Sequence, residues 1–126
     1  MKVYGIGIDI ANINRLKKSI INKKFIDRIF NKNEVIRCNK QVNKVNCYSK
    51  RFAAKEAFAK ALGTGVSNGI NFNEIIVTNE KSGKPFIKLK GKTLQIIKKK
   101  LKNKAKISLS LSDEKKYAVA IVTICL

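Results

Sequence analysis

Between Ser49 and Leu62 the chain reads Ser-Lys-Arg-Phe-Ala-Ala-Lys-Glu-Ala-Phe-Ala-Lys-Ala-Leu, and no other stretch narrows its folding options as much. Alanine is the strongest helix former, and the glycine at position 63 is a natural stop. Ala53, Ala54, Ala57, Ala59 and Ala61 suit close packing. The spacing therefore predicts a helix over 49–62 that sits tightly against its neighbours.

Other elements arrange themselves around this helix. Val3 to Ile10 alternates β-branched residues with glycines and reads as a strand that ends near Asp9. Asn12 is a candidate N-cap for a following helix, in which Ile13, Leu16, Ile20 and Ile21 recur at helical spacing. Phe25, Ile26, Ile29 and Phe30 continue that apolar face, and a short helix is expected around Glu34 to Arg37. Phe72 to Thr78 and Phe86 to Leu89 form a hairpin around the turn residues Ser82-Gly83-Lys84-Pro85. Thr93 to Leu101 is amphipathic. Ile107 to Leu111 alternates as a half-buried strand, and Asp113 to Lys116 is a polar turn. Tyr117 to Ile124 is nearly all apolar, so it belongs at the centre of a sheet. The expectation is one α+β domain over 1–126, with a mostly antiparallel sheet packed with helices.

Charge limits the partners. The chain has 28 Lys+Arg against 8 Asp+Glu, a formal net charge of +20. Such a surface attracts polyanions, although the joint excess of Lys, Asn and Ile is also what A+T-rich coding produces. Cys38, Cys47 and Cys125 are widely spaced, and histidine is absent. That argues against a Cys/His zinc site and for reduced thiols in a cytoplasmic location. The opening MKVYGIGIDI lacks the apolar core of a signal peptide, and no apolar run reaches the length of a membrane span.

Acidic residues are few, so their positions carry information. Asp9 follows Gly5 and Gly7, which permit close approach of backbone or ligand. Asp is also a favoured helix cap. Glu56 shares a helical stripe with Phe52 and Lys60, and Glu followed four residues later by Lys is an ordinary stabilising pair. The stripe contains an aromatic ring, however, and the helix runs into Gly63-Thr64-Gly65, whose amides could meet an anion. Two carboxylates, a lysine and a glycine-rich turn are the equipment of magnesium-assisted phosphoryl chemistry.

Two stretches resemble the holo-[acyl-carrier-protein] synthases, the small 4′-phosphopantetheinyl transferases: Gly5-Ile-Gly7-Ile-Asp9-Ile followed by Arg15, and Arg51 through Gly65. Weaker similarity runs through Gly83-Lys84-Pro85 and Asp113 to Ala118. The resemblance implies the phosphopantetheinyl transferase fold in a homotrimer with active sites between subunits. It implies transfer of 4′-phosphopantetheine from coenzyme A to a serine of apo acyl carrier protein, releasing 3′,5′-ADP, as a step of fatty acid biosynthesis. Asp9 and Glu56 would hold magnesium, and Lys60 would neutralise phosphate charge. Arg51, Gly63, Thr64 and Gly65 would hold the nucleotide end. Glu56 or a metal-bound water would accept the serine proton. Arg15, with Lys24 and Arg28, would dock the acidic carrier protein. Many family members carry a histidine near the position of Ser108, which this chain lacks. Two other readings remain: a basic nucleic-acid-binding module, disfavoured because the aromatics fall mainly on apolar faces, and a homologue that binds coenzyme A or carrier protein without turnover.

Overall fold

The computed structural model describes residues 1–63 and 69–126. Its long helix is α4 (Lys44–Leu62), which begins five residues earlier than its alanine-rich part and ends on Gly63 in the left-handed conformation. The elements before it are β1 (Val3–Asn12), α1 (Ile13–Ser19), α2 (Lys23–Ile29) and α3 (Lys32–Asn39). After it come a 3₁₀ turn (Phe72–Glu74), β2 (Ile75–Asn79), β3 (Pro85–Leu89), α5 (Gly91–Leu101), β4 (Lys106–Asp113) and β5 (Tyr117–Cys125).

Strands β1, β5 and β4 form one antiparallel sheet in that order, and β2 and β3 form a separate hairpin. The apolar β5 is central, and Ala118, Ala120, Val122 and Ile124 on its inner face are fully buried. On the inner face of β1, Gly5, Gly7, Asp9 and Ala11 look towards α4. A Cβ on Gly5 would collide with the carbonyl of Ala61, and one on Gly7 with the carbonyl of Ala57. The two glycines thus serve the approach of helix backbone to strand rather than of a ligand. The alanines of α4 complete that contact, and Ala53, Ala54, Ala57 and Phe58 are fully buried.

On the opposite side of α4, Lys55 is fully buried. Its ammonium donates to Glu34 Oε1 at 2.6 Å and to the carbonyls of Phe72 and Ile75. Glu34 in turn accepts from the amides of Asn31 and Val77. One ion pair therefore joins α3, α4 and the start of β2. Such a pair is tolerated in a core only because every remaining hydrogen-bonding valence is used.

Two local readings need correction. The apolar run after Asn12 is not one helix. Asn12 caps α1 as expected, but Asn22 caps a second helix, so the chain turns at Ile20–Asn22 and Ile21 is left exposed. A side-chain oxygen two residues from a free amide competes with continuation of the helix. The three cysteines are also not all reduced. Cys38 and Cys47 are joined as a disulfide, and Cys125 is the free thiol. Their separation matches no motif; α3 and α4 meet there.

Candidate active site

Strand β1 does not stop at Asp9 but runs on to Asn12. Asn12 takes the cap of α1, so Asp9 is released from that task. Its place on the inner face, two residues beyond Gly7, points it at α4. Lys60 Nζ donates to Asp9 Oδ1 at 3.1 Å and to the carbonyl of Ile8 at 3.0 Å. The Asp9 side chain is 16% exposed and that of Lys60 55% exposed, so the ammonium is still reachable from solvent.

Glu56 lies one turn before Lys60 on the same stripe and is half-buried. Its carboxyl is pushed above the ordinary range, first by burial and then by the negative charge of Asp9, with Lys60 opposing. A carboxyl whose proton affinity is raised by burial and by a second carboxylate beside it marks a place where a cation is welcome. Among the described residues no group of three or more His, Cys, Asp or Glu is assembled. Two carboxylates suit magnesium, which binds with one or two protein carboxylates and completes its shell from phosphate oxygens and water. The donor set therefore fits that ion.

Arg51 is not brought to this cluster. It precedes Lys60 by nine residues, about 13 Å along α4 and about half a turn around it. Its guanidinium is buried instead against the hairpin. Nη1 donates to the carbonyl of Cys47 at 3.4 Å and to its Sγ at 3.1 Å, and Nη2 to Asn79 Oδ1 at 3.5 Å. Nε is buried without a partner among the described residues. A small cavity of about 230 Å³ opens here, lined by Arg37, Lys50, Arg51, Asn79, Gly83 and Pro85. An unsatisfied guanidinium nitrogen in a cationic cavity suits an anion. Arg37, Lys50 and Asn79 were missed from the sequence, since nothing in their spacing ties them to Arg51. The Gly83-Lys84-Pro85 similarity was the one available pointer.

Gly63 has the left-handed conformation of a C-cap, its amide bonded to the carbonyl of Lys60. Thr64 and Gly65 lie outside the described residues. Arg15 is exposed on α1, and Lys24 and Arg28 are exposed four apart on α2, so the basic surface spans two helices rather than one. Ser108 is exposed on β4 opposite Thr123. A groove of about 1050 Å³ lies between α1–α2 and the start of α4 and touches none of Asp9, Arg51, Glu56 or Lys60. Phe25, Phe30, Tyr48, Phe52 and Phe72 pack against one another, which commits these rings to the interior.

Residues 5–122 match the model of the 4′-phosphopantetheinyl transferase superfamily. The chain belongs to that superfamily. Within it, the chain is 49% identical to the holo-[acyl-carrier-protein] synthase of Pelagibacter ubique over 97% of this chain and 96% of that one. The crystal structure of the Neisseria meningitidis synthase superposes with a TM-score of 0.87 at 34% identity, covering 98% and 99% of the two chains. That of the Bacillus anthracis synthase, solved in complex with CoA (3′,5′-ADP), superposes at 0.80 and 34% identity, covering 98% and 97%. This transferase-family chain is an enzyme of the holo-[acyl-carrier-protein] synthase kind.

Proposed function

We propose that the chain transfers 4′-phosphopantetheine from coenzyme A to a serine of apo acyl carrier protein, with magnesium held by Asp9 and Glu56. The observation that carries this reading is the meeting of Asp9, Glu56 and Lys60 where β1 crosses α4. When bound, magnesium supplies neutralisation of the pyrophosphate charge.

In the transfer, the carrier serine oxygen bonds to the phosphorus that carries pantetheine. The bond from that phosphorus to the oxygen of 3′,5′-ADP breaks. Lys60, still reachable beside Asp9, places its charge on the phosphate oxygens. Glu56, in the same cluster, is a carboxylate placed to take the serine proton. Arg51 and its cavity hold the phosphate of the nucleotide end.

A single chain presents Arg51 on the far side of α4 from Lys60, which supports sites completed by a neighbouring subunit. The outer face of the three-stranded sheet supports the homotrimer. Val3, Ile6, Ile8 and Ile10 on β1 and Ile121 on β5 are all more than 40% exposed there, an apolar surface of the kind that marks an interface. Arg15, Lys24 and Arg28 form the surface for the acidic carrier protein, where charge complementarity speeds association. The reaction belongs to the cytoplasm and to fatty acid biosynthesis.

The test is an intact-mass assay of apo carrier protein incubated with the enzyme, coenzyme A and magnesium. A phosphopantetheine increment is expected with the native chain and is lost with Asp9→Ala and with Glu56→Ala. Undiminished transfer by both variants removes the metal-site assignment.

A further inference from the structure

Through Cys47, the Cys38–Cys47 disulfide touches Arg51, which lines the small cationic cavity. Its Cα atoms are 5.4 Å apart, and both residues are buried. Cys47 is the residue whose Sγ and carbonyl receive Nη1 of Arg51. Among the described residues every hydrogen-bond acceptor of Arg51 is thus neutral, and the nearby Glu34 is ion-paired with Lys55. The guanidinium keeps its charge for an incoming anion.

We infer that the Cys38–Cys47 pair is a redox-modifiable site that sets how tightly the Arg51 cavity holds a phosphate-bearing nucleotide. As a disulfide, Cys47 leaves the guanidinium available. As a reduced pair, Cys47 presents a sulfur that ionises beside Arg51 and competes with the ligand for it. The inference rests on the reading of the Arg51 cavity as the nucleotide anchor.

The chemistry balances with a low-molecular-weight thiol as the reductant. Two thiol molecules deliver two electrons and two protons; the Cys38–Cys47 bond breaks, both cysteines become thiols, and one disulfide of the reductant forms. In the reduced pair the proton leaves to solvent, and the Arg51 guanidinium, 3.1 Å from Cys47 Sγ, favours the Cys47 thiolate against the opposing effect of burial. The charged groups around it are Arg51 on its own helix, Glu34 and Arg37 on α3, Lys55 paired with Glu34, and Lys50 paired with Asp113 of β4. With those pairs formed, Arg51 and Arg37 carry the unbalanced charge. Neither sulfur is open to solvent, so exchange requires the α3–α4 turn to lift. That turn is exposed, with Val42 fully so.

The test uses 3′,5′-ADP, which has no thiol and cannot itself exchange with the disulfide. Its affinity is measured by calorimetry at pH 8 on oxidised and reduced full-length enzyme, with the redox state checked by alkylation and intact mass. The oxidised form is expected to bind about tenfold more tightly, the worth of one charge-assisted contact. Cys38→Ser keeps the Cys47 thiol and should bind like the reduced enzyme. Cys47→Ser cannot form a thiolate and should bind like the oxidised enzyme, whatever the reductant. Equal affinity of the two redox forms overturns the inference while leaving the anchor in place. So do equally weakened serine variants, which would mean a staple only, and so does finding all three cysteines alkylated in the oxidised sample. Binding by neither form removes the anchor reading itself, and the inference with it.

Discussion

Lys60 Nζ stands 3.1 Å from Asp9 Oδ1 and 3.0 Å from the carbonyl of Ile8, so the far end of α4 is held to the middle of β1 by residues of the candidate site. An ion pair this open contributes little to stability, at most about 1 kcal/mol. Lys60→Ala should therefore leave the melting temperature nearly unchanged and reduce kcat about a hundredfold or more, the loss typical of one charge-stabilising donor. Steady-state transfer assays with thermal melts check both halves. A large fall in melting temperature with intact kcat would reverse the interpretation.

Glu56 should likewise separate activity from stability. Burial, then Asp9, raises its proton affinity, so its folded pKa lies above its unfolded value. For a carboxyl shifted this way, the unfolded state binds fewer protons inside the window between the two values. Stability contributed by the shift is present below the unfolded pKa and is lost as pH rises through the folded one. Above its folded pKa the ionised Glu56 is thus a strain on the metal-free fold. Glu56→Gln should abolish transfer yet melt no lower than the native enzyme without magnesium. The advantage should shrink as the pH falls below the usual carboxylate range.

Glu34 and Lys55 form the buried pair that joins three segments. Removing only one partner leaves an unpaired charge or donor in the core. Lys55→Met should cost about 3–5 kcal/mol. Glu34→Gln combined with Lys55→Met should cost clearly less than the sum of the single changes. Urea titrations of the two single variants and the double variant measure the coupling, and strict additivity would contradict it.

Gly7 has no room for a side chain, because its Cβ would meet the carbonyl of Ala57. The obstacle is helix backbone, which cannot rotate aside. Gly7→Ala should destabilise by about 1–3 kcal/mol or more and reduce activity by moving Asp9 relative to Lys60. Denaturant midpoints and kcat should fall together.

Glu74 does the work of a helix cap for α5, where Lys90 offers no capping side chain. It accepts from the amides of Lys92 and Thr93 and from the Thr93 hydroxyl. Burial raises its pKa, but the hydrogen bonds from Thr93, Asn71 and Lys92 outweigh that and depress it. The stability it supplies is therefore present above its unfolded pKa and disappears as pH falls through the folded one. Glu74→Ala should lower stability by about 1 kcal/mol at pH 7 and by much less in strong acid, as pH-dependent melts would record.

The helix of alanines, the strand order of apolar patterns and the stripe Phe52-Glu56-Lys60 were legible because they obey local periodicity, and local periodicity is set by backbone geometry. The break at Ile20–Asn22 was not, because the apolar spacing continues across it while the decision lies with the Asn22 side chain. The partner of Cys38 was invisible for a related reason: the meeting of α3 and α4 depends on a turn, not on any repeat.

The chain's residues alone carried the α+β class, the central place of β5, and the candidacy of Asp9, Glu56 and Lys60, since those follow from residue type and spacing. Tertiary structure decided what each is for. Gly5 and Gly7 serve helix backbone, and Arg51 faces away from Lys60 across α4. Such assignments depend on which atoms from distant segments share one place, and that is fixed only when the core packs.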